Sequence, residues 1–180
     1  MRENRLVLAL CSLLLGAQSV MAHVVLGEPA ALAGTSHRAV FRVGHGCGGN
    51  PTTAIKVFMP AGFQGTKPMP KPGWALSIRK EKLDIPYDSH GKTVSEDVVE
   101  VTWTASSKEN WLPDAWYDEF VLRGDLPAQA GPLWFRVLQS CENLSLDWSQ
   151  IPAGSTSTKG LKAPALLLEV IPAGPVTHPH

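Results

Sequence analysis

Apolar residues recur at every second position in short runs of this chain, and no long window carries them at helical spacing. Ala39, Phe41 and Val43 alternate with Arg38 and Arg42, and Trp74, Leu76 and Ile78 alternate with Ser77 and Arg79. Val99, Val101 and Trp103 alternate with Glu100 and Thr102, and Leu166, Leu168 and Val170 flank Glu169. Side chains of an extended chain point to opposite faces in turn, so each run reads as a strand with one face buried. Segments 55–59, 118–122 and 133–138 read as further strands. Turn signals such as Gly48-Gly49-Asn50-Pro51, Leu112-Pro113-Asp114 and Gly131-Pro132 separate them. Seven or eight short strands among 15 prolines and 16 glycines predict an all-β fold, an antiparallel immunoglobulin-like β-sandwich, with a barrel as the alternative.

Two other stretches constrain that architecture. In Lys67-Pro68-Met69-Pro70-Lys71-Pro72-Gly73 three prolines fix φ and withdraw amide donors, so the segment cannot be an inner strand and reads as an extended arm leading into Trp74. Residues 173–180 carry two prolines and no core-forming pattern, and read as a disordered tail.

The N-terminus reads as a targeting segment. Arg2 and Arg5 precede the apolar run Leu6 to Gly16, and Val20-Met21-Ala22 offers small residues where a signal peptidase needs them. The run is too short to anchor the chain in a bilayer. Cys11 does not mark a lipoprotein, because Leu10 is large where a small residue is needed. Residues 1–22 are therefore expected to be a signal peptide, with secretion across the inner membrane to the periplasm or the exterior and no membrane insertion of the mature chain. Residues 23–172 then form one domain; removing 22 of 180 residues leaves 158, enough for a single core. The mature chain would have 14 basic and 15 acidic residues, a balance that attracts neither nucleic acid nor anionic lipid.

With Cys11 removed, Cys47 and Cys141 remain as an even pair in an oxidising compartment, and a disulfide between them is expected. Cleavage after Ala22 would also make His23 the first residue. Its terminal amine and imidazole Nδ1 could then close a six-membered chelate on one metal ion. The amine titrates near 7.7–8.0 in model peptides, so a metal displaces a proton to bind it. Copper(II) heads the divalent affinity order and favours nitrogen and oxygen donors, which makes a copper ion the expected occupant. The alternative is that His23 is an ordinary residue that happens to follow a cleavage site.

Five segments carry a family resemblance: His23-Val24-Val25-Leu26; Phe41-Arg42-Val43-Gly44-His45-Gly46-Cys47; the proline arm through Trp74; Leu112-Pro113-Asp114-Ala115 with Tyr117-Asp118-Glu119-Phe120; and Gln139-Ser140-Cys141-Glu142 with Trp148. Together, from His23 to about Pro152, they resemble the YcnI-like family of exported copper-binding domains. The resemblance implies a β-sandwich holding one copper ion by a single-histidine brace: His23 as chelator, a carboxylate completing the coordination, and a tryptophan beside the metal. The carboxylate carried over is Glu119, with Glu28, Asp118 and Glu142 as alternatives, and the tryptophan is Trp148. Trp74, Trp103 and Trp134 read as core. His45, beside the cysteine, falls near His23 if the first two strands pair antiparallel, and is a candidate second nitrogen ligand; the flanking glycines also have a purely conformational explanation. His37 and His90 read as exposed strand-end and loop residues, and His178 and His180 as adventitious metal binders in the tail.

The function expected is storage, buffering or delivery of copper, with a copper donor or acceptor protein, including a membrane copper transporter, as partner. No catalytic constellation is visible: there is no Gly-x-Ser-x-Gly, no phosphate-cradling glycine loop and no close thiol pair. The chain is therefore not expected to be an enzyme. The alternatives are a copper monooxygenase, which would need His45 as a further ligand, and a metal-free interaction module, since β-sandwiches host many functions.

Overall fold

The computed structural model describes residues 23–174. The expected signal peptide, Cys11 and the tail histidines His178 and His180 lie outside them. Among the described residues the regular structure is all β apart from one short 3-10 turn at Lys108–Asn110. The alternation expected at seven places gives β3 (Ser36–Val43), β4 (Thr52–Phe58), β6 (Trp74–Ser89), β7 (Lys92–Ala105), β8 (Asp118–Asp125), β9 (Gly131–Cys141) and β11 (Leu166–Ile171). Four more, β1 (Val25–Leu26), β2 (Ala30–Leu32), β5 (Gln64–Pro68) and β10 (Ser145–Trp148), bring the described strands to eleven rather than seven or eight. At two to five residues each, these four are too short to show a period in sequence.

The strands form two sheets packed as a sandwich of immunoglobulin-like kind. One has the order β1-β3-β8-β5, and the other β2-β11-β9-β4-β7-β6. Along one side of β9, β10 pairs with its C-terminal half and β11 with its N-terminal half. The inward faces meet in an aromatic core. Phe135 takes Phe41 and Phe63 edge-on at centroid distances of 5.5 and 5.2 Å, while Trp74 and Trp103 close around Phe120 at 5.0 and 5.6 Å. Such offset and edge-on pairs add to the area term that dominates core stability.

The proline arm connects the sheets. β5 is an edge strand that pairs only with β8, and it ends at Pro68, the first of the three prolines that withdraw amide donors. Beyond it the Met69 amide donates to Val121 at 2.8 Å, and the buried Trp103 indole donates to the Met69 carbonyl at 2.9 Å. β6 and β7 extend past the sandwich as a long hairpin. Its two-residue loop, His90-Gly91, has φ of 53° and 75°, the positive values that a tight hairpin needs.

Two side chains depart from the sequence expectation. His37 is buried at 5 % exposure rather than exposed, because it continues the inward phase of Ala39, Phe41 and Val43 to the start of β3. Trp134 is only half-buried: the inward phase of β9 belongs to Leu133, Phe135 and Val137, so Trp134 faces outward, opposite Leu167 of β11.

Candidate metal centre

His23 leads into β1 at the corner where the two sheets approach. β1 runs antiparallel to β3 with Val25 opposite Arg42 and Leu26 opposite Phe41, and the Gly27 amide donates to Val40. Continued two pairs further, that register brings the backbone of His23 opposite Gly44, in the turn that carries His45. On the other side, His23, Val24, Leu26, Pro29, Thr158 and Leu166 contribute to a groove of about 390 Å³.

The imidazole packs on Trp148, with ring centroids 4.9 Å apart and planes inclined by 48°. β10 explains why that indole is there. Ser145 to Trp148 pair with Ser140 to Val137, so Leu146 and Trp148 take the inward face beside Gln139 and Val137. Trp148 is fully buried while His23 is half-buried. The expected histidine and tryptophan are thus neighbours in the fold.

The disulfide between Cys47 and Cys141 is present and pins the turn after β3 to the end of β9. Within that turn the Gly46 amide donates to Asp114 Oδ1 at 3.0 Å, and Cys47 and Asn50 exchange backbone hydrogen bonds. Gly46 has no room for a side chain, since a Cβ would lie 1.9 Å from the Asn50 carbonyl oxygen. His45 Nδ1 contacts the Gly46 carbonyl, and its Nε2 has no hydrogen-bond partner among the described residues.

The four candidate carboxylates sit elsewhere, each with its own surroundings. Glu119 pairs with Arg42 at 3.4 Å and accepts the Tyr117 hydroxyl. It occupies the cross-strand row Val25–Arg42–Glu119, two strand spacings, about 10 Å, from the β1 backbone. Asp118 holds the Lys71 ammonium at 2.6 Å and Glu142 lies 3.7 Å from Lys108. Glu28 is exposed in the β1–β2 connection, where its charge acts on His37. Among the described residues no group of three or more histidine, cysteine, aspartate or glutamate side chains converges on one point. The donor set in hand is therefore the His23 side chain with its adjoining backbone nitrogen, which a metal could use as a two-nitrogen chelate where that nitrogen is a free amine.

One further residue belongs to the site, beyond those the sequence pattern picks out. Gln139 is buried beneath Trp148 and bonded to it. Its signal is present in the sequence, where the inward series of β9 passes from Leu133, Phe135 and Val137 to an amide at 139.

Fold and corner together define an immunoglobulin-like sandwich with a half-buried histidine packed at a tilt against a core tryptophan. The chain belongs to the family described as a domain of unknown function (DUF1775), whose profile matches residues 23–170. A solved structure of an uncharacterized protein from Nocardia farcinica, reported to reveal an immunoglobulin-like fold, is similar at TM-score 0.62 and 24% identity, covering 82% of this chain and 97% of that one. A type I cohesin from Pseudobacteroides cellulosolvens aligns at TM-score 0.38 and 11% identity over 88% of this chain and 97% of its own. A type I cohesin–dockerin complex from Clostridium thermocellum gives 0.37 and 7% over 83% and 98%. No curated protein matches the sequence.

Proposed function

We propose that this protein is an exported copper-binding protein of the periplasm or exterior that stores, buffers or hands on copper, with copper as its cargo. The observation that carries the reading is the tilted packing of the His23 imidazole against buried Trp148 at the residue where the family match begins. Cleavage after Ala22 frees the α-amine, and amine and Nδ1 then grip copper(II) as one chelate. A carboxylate completes the coordination; Glu119 is the first choice, and to serve it has to leave Arg42 and Tyr117 and turn towards His23.

Two nitrogens and one oxygen suit the cupric ion, whereas the reduced ion prefers softer donors and holds oxygen weakly. An indole face beside the imidazole offers the reduced ion a cation–π contact in place of the lost oxygen. Reduction thus loosens the oxygen ligand while the indole offsets part of that loss, so affinity depends on redox state, which fits exchange with a donor or acceptor protein such as a membrane copper transporter. In titrations of the protein that begins at His23, one equivalent of copper(II) is expected to bind, and His23→Ala to abolish stoichiometric binding. An alanine variant with undiminished affinity refutes the assignment.

A further inference from the structure

Gln139 is out of place by hydropathy, at 1 % exposure in an otherwise apolar inward series. A buried amide costs folding free energy unless its donors and acceptor are met. Here Nε2 donates to the His45 carbonyl and to the Thr52 hydroxyl, both at 2.8 Å, and Oε1 accepts from Trp148 Nε1 at 3.4 Å. The amide fits in one sense only. Turned over, its oxygen would face the His45 carbonyl oxygen and its NH2 would face an indole N–H.

Trp148 has its indole N–H directed at this amide, at the long distance of 3.4 Å. Its Nε1 can only donate, it is enclosed by core, and among the described residues Gln139 is the acceptor that meets it. Rotating the ring away from its inclination to His23 would strand that donor. The amide is itself held from two further directions, by the turn that the disulfide pins and by β4.

We propose that Gln139 is the positioning residue of the copper site: it fixes the indole plane against His23 and thereby biases the site towards retaining the reduced ion. The bias rests on the reading of His23 as a copper ligand, and the positioning does not. A cation–π contact requires the ion over the ring face, so holding the ring at one angle favours the ion that gains from that face.

The test uses Gln139→Met, which keeps the length but removes the amide, Gln139→Glu, which keeps an acceptor for the indole, Trp148→Phe, and the Met–Phe double variant. In the metal-free protein, magnetic resonance of the Trp148 indole N–H and of the His23 ring protons, which lie in the indole's ring current, reads the positioning directly. Gln139→Met is expected to displace both signals and Gln139→Glu to hold them nearer wild type; signals unmoved by Gln139→Met overturn the positioning role. Dissociation constants for copper(II) and copper(I), measured against competing chelators, then read the bias. Gln139→Met and Trp148→Phe should each shift their ratio against copper(I) by about three- to tenfold, with no further shift in the double variant. Single shifts that multiply in the double variant mean that Gln139 does not act through Trp148, and overturn the proposal. A wild-type protein that binds no copper removes the copper reading and the bias with it, while the resonances still decide the positioning.

Discussion

The Arg42 guanidinium lies 3.4 Å from the Glu119 carboxylate, directly across the β3–β8 ladder and in line with Val25 of β1. A metal that recruits Glu119 must take it from this pair. Exposed pairs contribute about 0.2–1 kcal/mol, so Arg42→Ala is expected to tighten copper(II) binding by up to about fivefold. Glu119→Gln is expected to weaken it more than tenfold. Calorimetric titration of both variants checks this. Full affinity in Glu119→Gln, with a loss in Glu28→Gln, Asp118→Asn or Glu142→Gln, transfers the ligand role to that other residue.

The bond between Cys47 and Cys141 spans a sequence separation of 94 residues. In the chain-entropy account a loop of that size stabilises the fold by about 4–5 kcal/mol, and native-state effects commonly lower the figure. A Cys47→Ser/Cys141→Ser variant should therefore unfold at a clearly lower denaturant concentration, with a larger m because the released unfolded chain exposes more surface. An unchanged midpoint contradicts this.

Gly46 faces the Asn50 carbonyl too closely for any Cβ. Gly46→Ala has to open the Cys47–Asn50 turn and disturb the Asp114 contact. A destabilisation of about 1–3 kcal/mol is expected, typical of forced overpacking. Chemical denaturation measures it, and a loss below about 0.5 kcal/mol shows that the turn adapts freely.

Burial pushes the His37 imidazole below the ordinary histidine range, and the nearby Glu28 charge opposes this in part. The unfolded chain therefore takes up a proton at a pH where the folded chain does not. Its contribution to stability is full above the unfolded value of about 6.5 and falls as pH drops through that value, levelling off below the lowered folded value. Melting temperature followed from pH 7.5 to 5 should decline less steeply in His37→Gln than in the wild type. Parallel declines exclude His37 as the cause.

The long strands were legible in sequence because burial on one face writes a period of two into the chain, as in Ala39, Phe41 and Val43. The short edge pieces β1, β2 and β10 were not, because two to four residues carry no period and their place is set by the partner strand. His37 and Trp134 show the same rule from the other side. Each takes the face that its phase dictates, which residue type alone does not reveal. The neighbourhood of His23 and Trp148 came from family resemblance, since strands distant in sequence meet there. Gln139 could be read from the interruption of an apolar series, but its partners His45, Thr52 and Trp148 lie 94, 87 and 9 residues away.

The central claim is that a free α-amine and its own imidazole hold copper(II) together at His23. Electron paramagnetic resonance of one equivalent of copper(II) on protein whose first residue is His23, confirmed by mass spectrometry, tests it against the same protein with Ala22 retained. The account predicts nitrogen hyperfine structure in the first sample and its loss in the second. The same spectrum in both would contradict it.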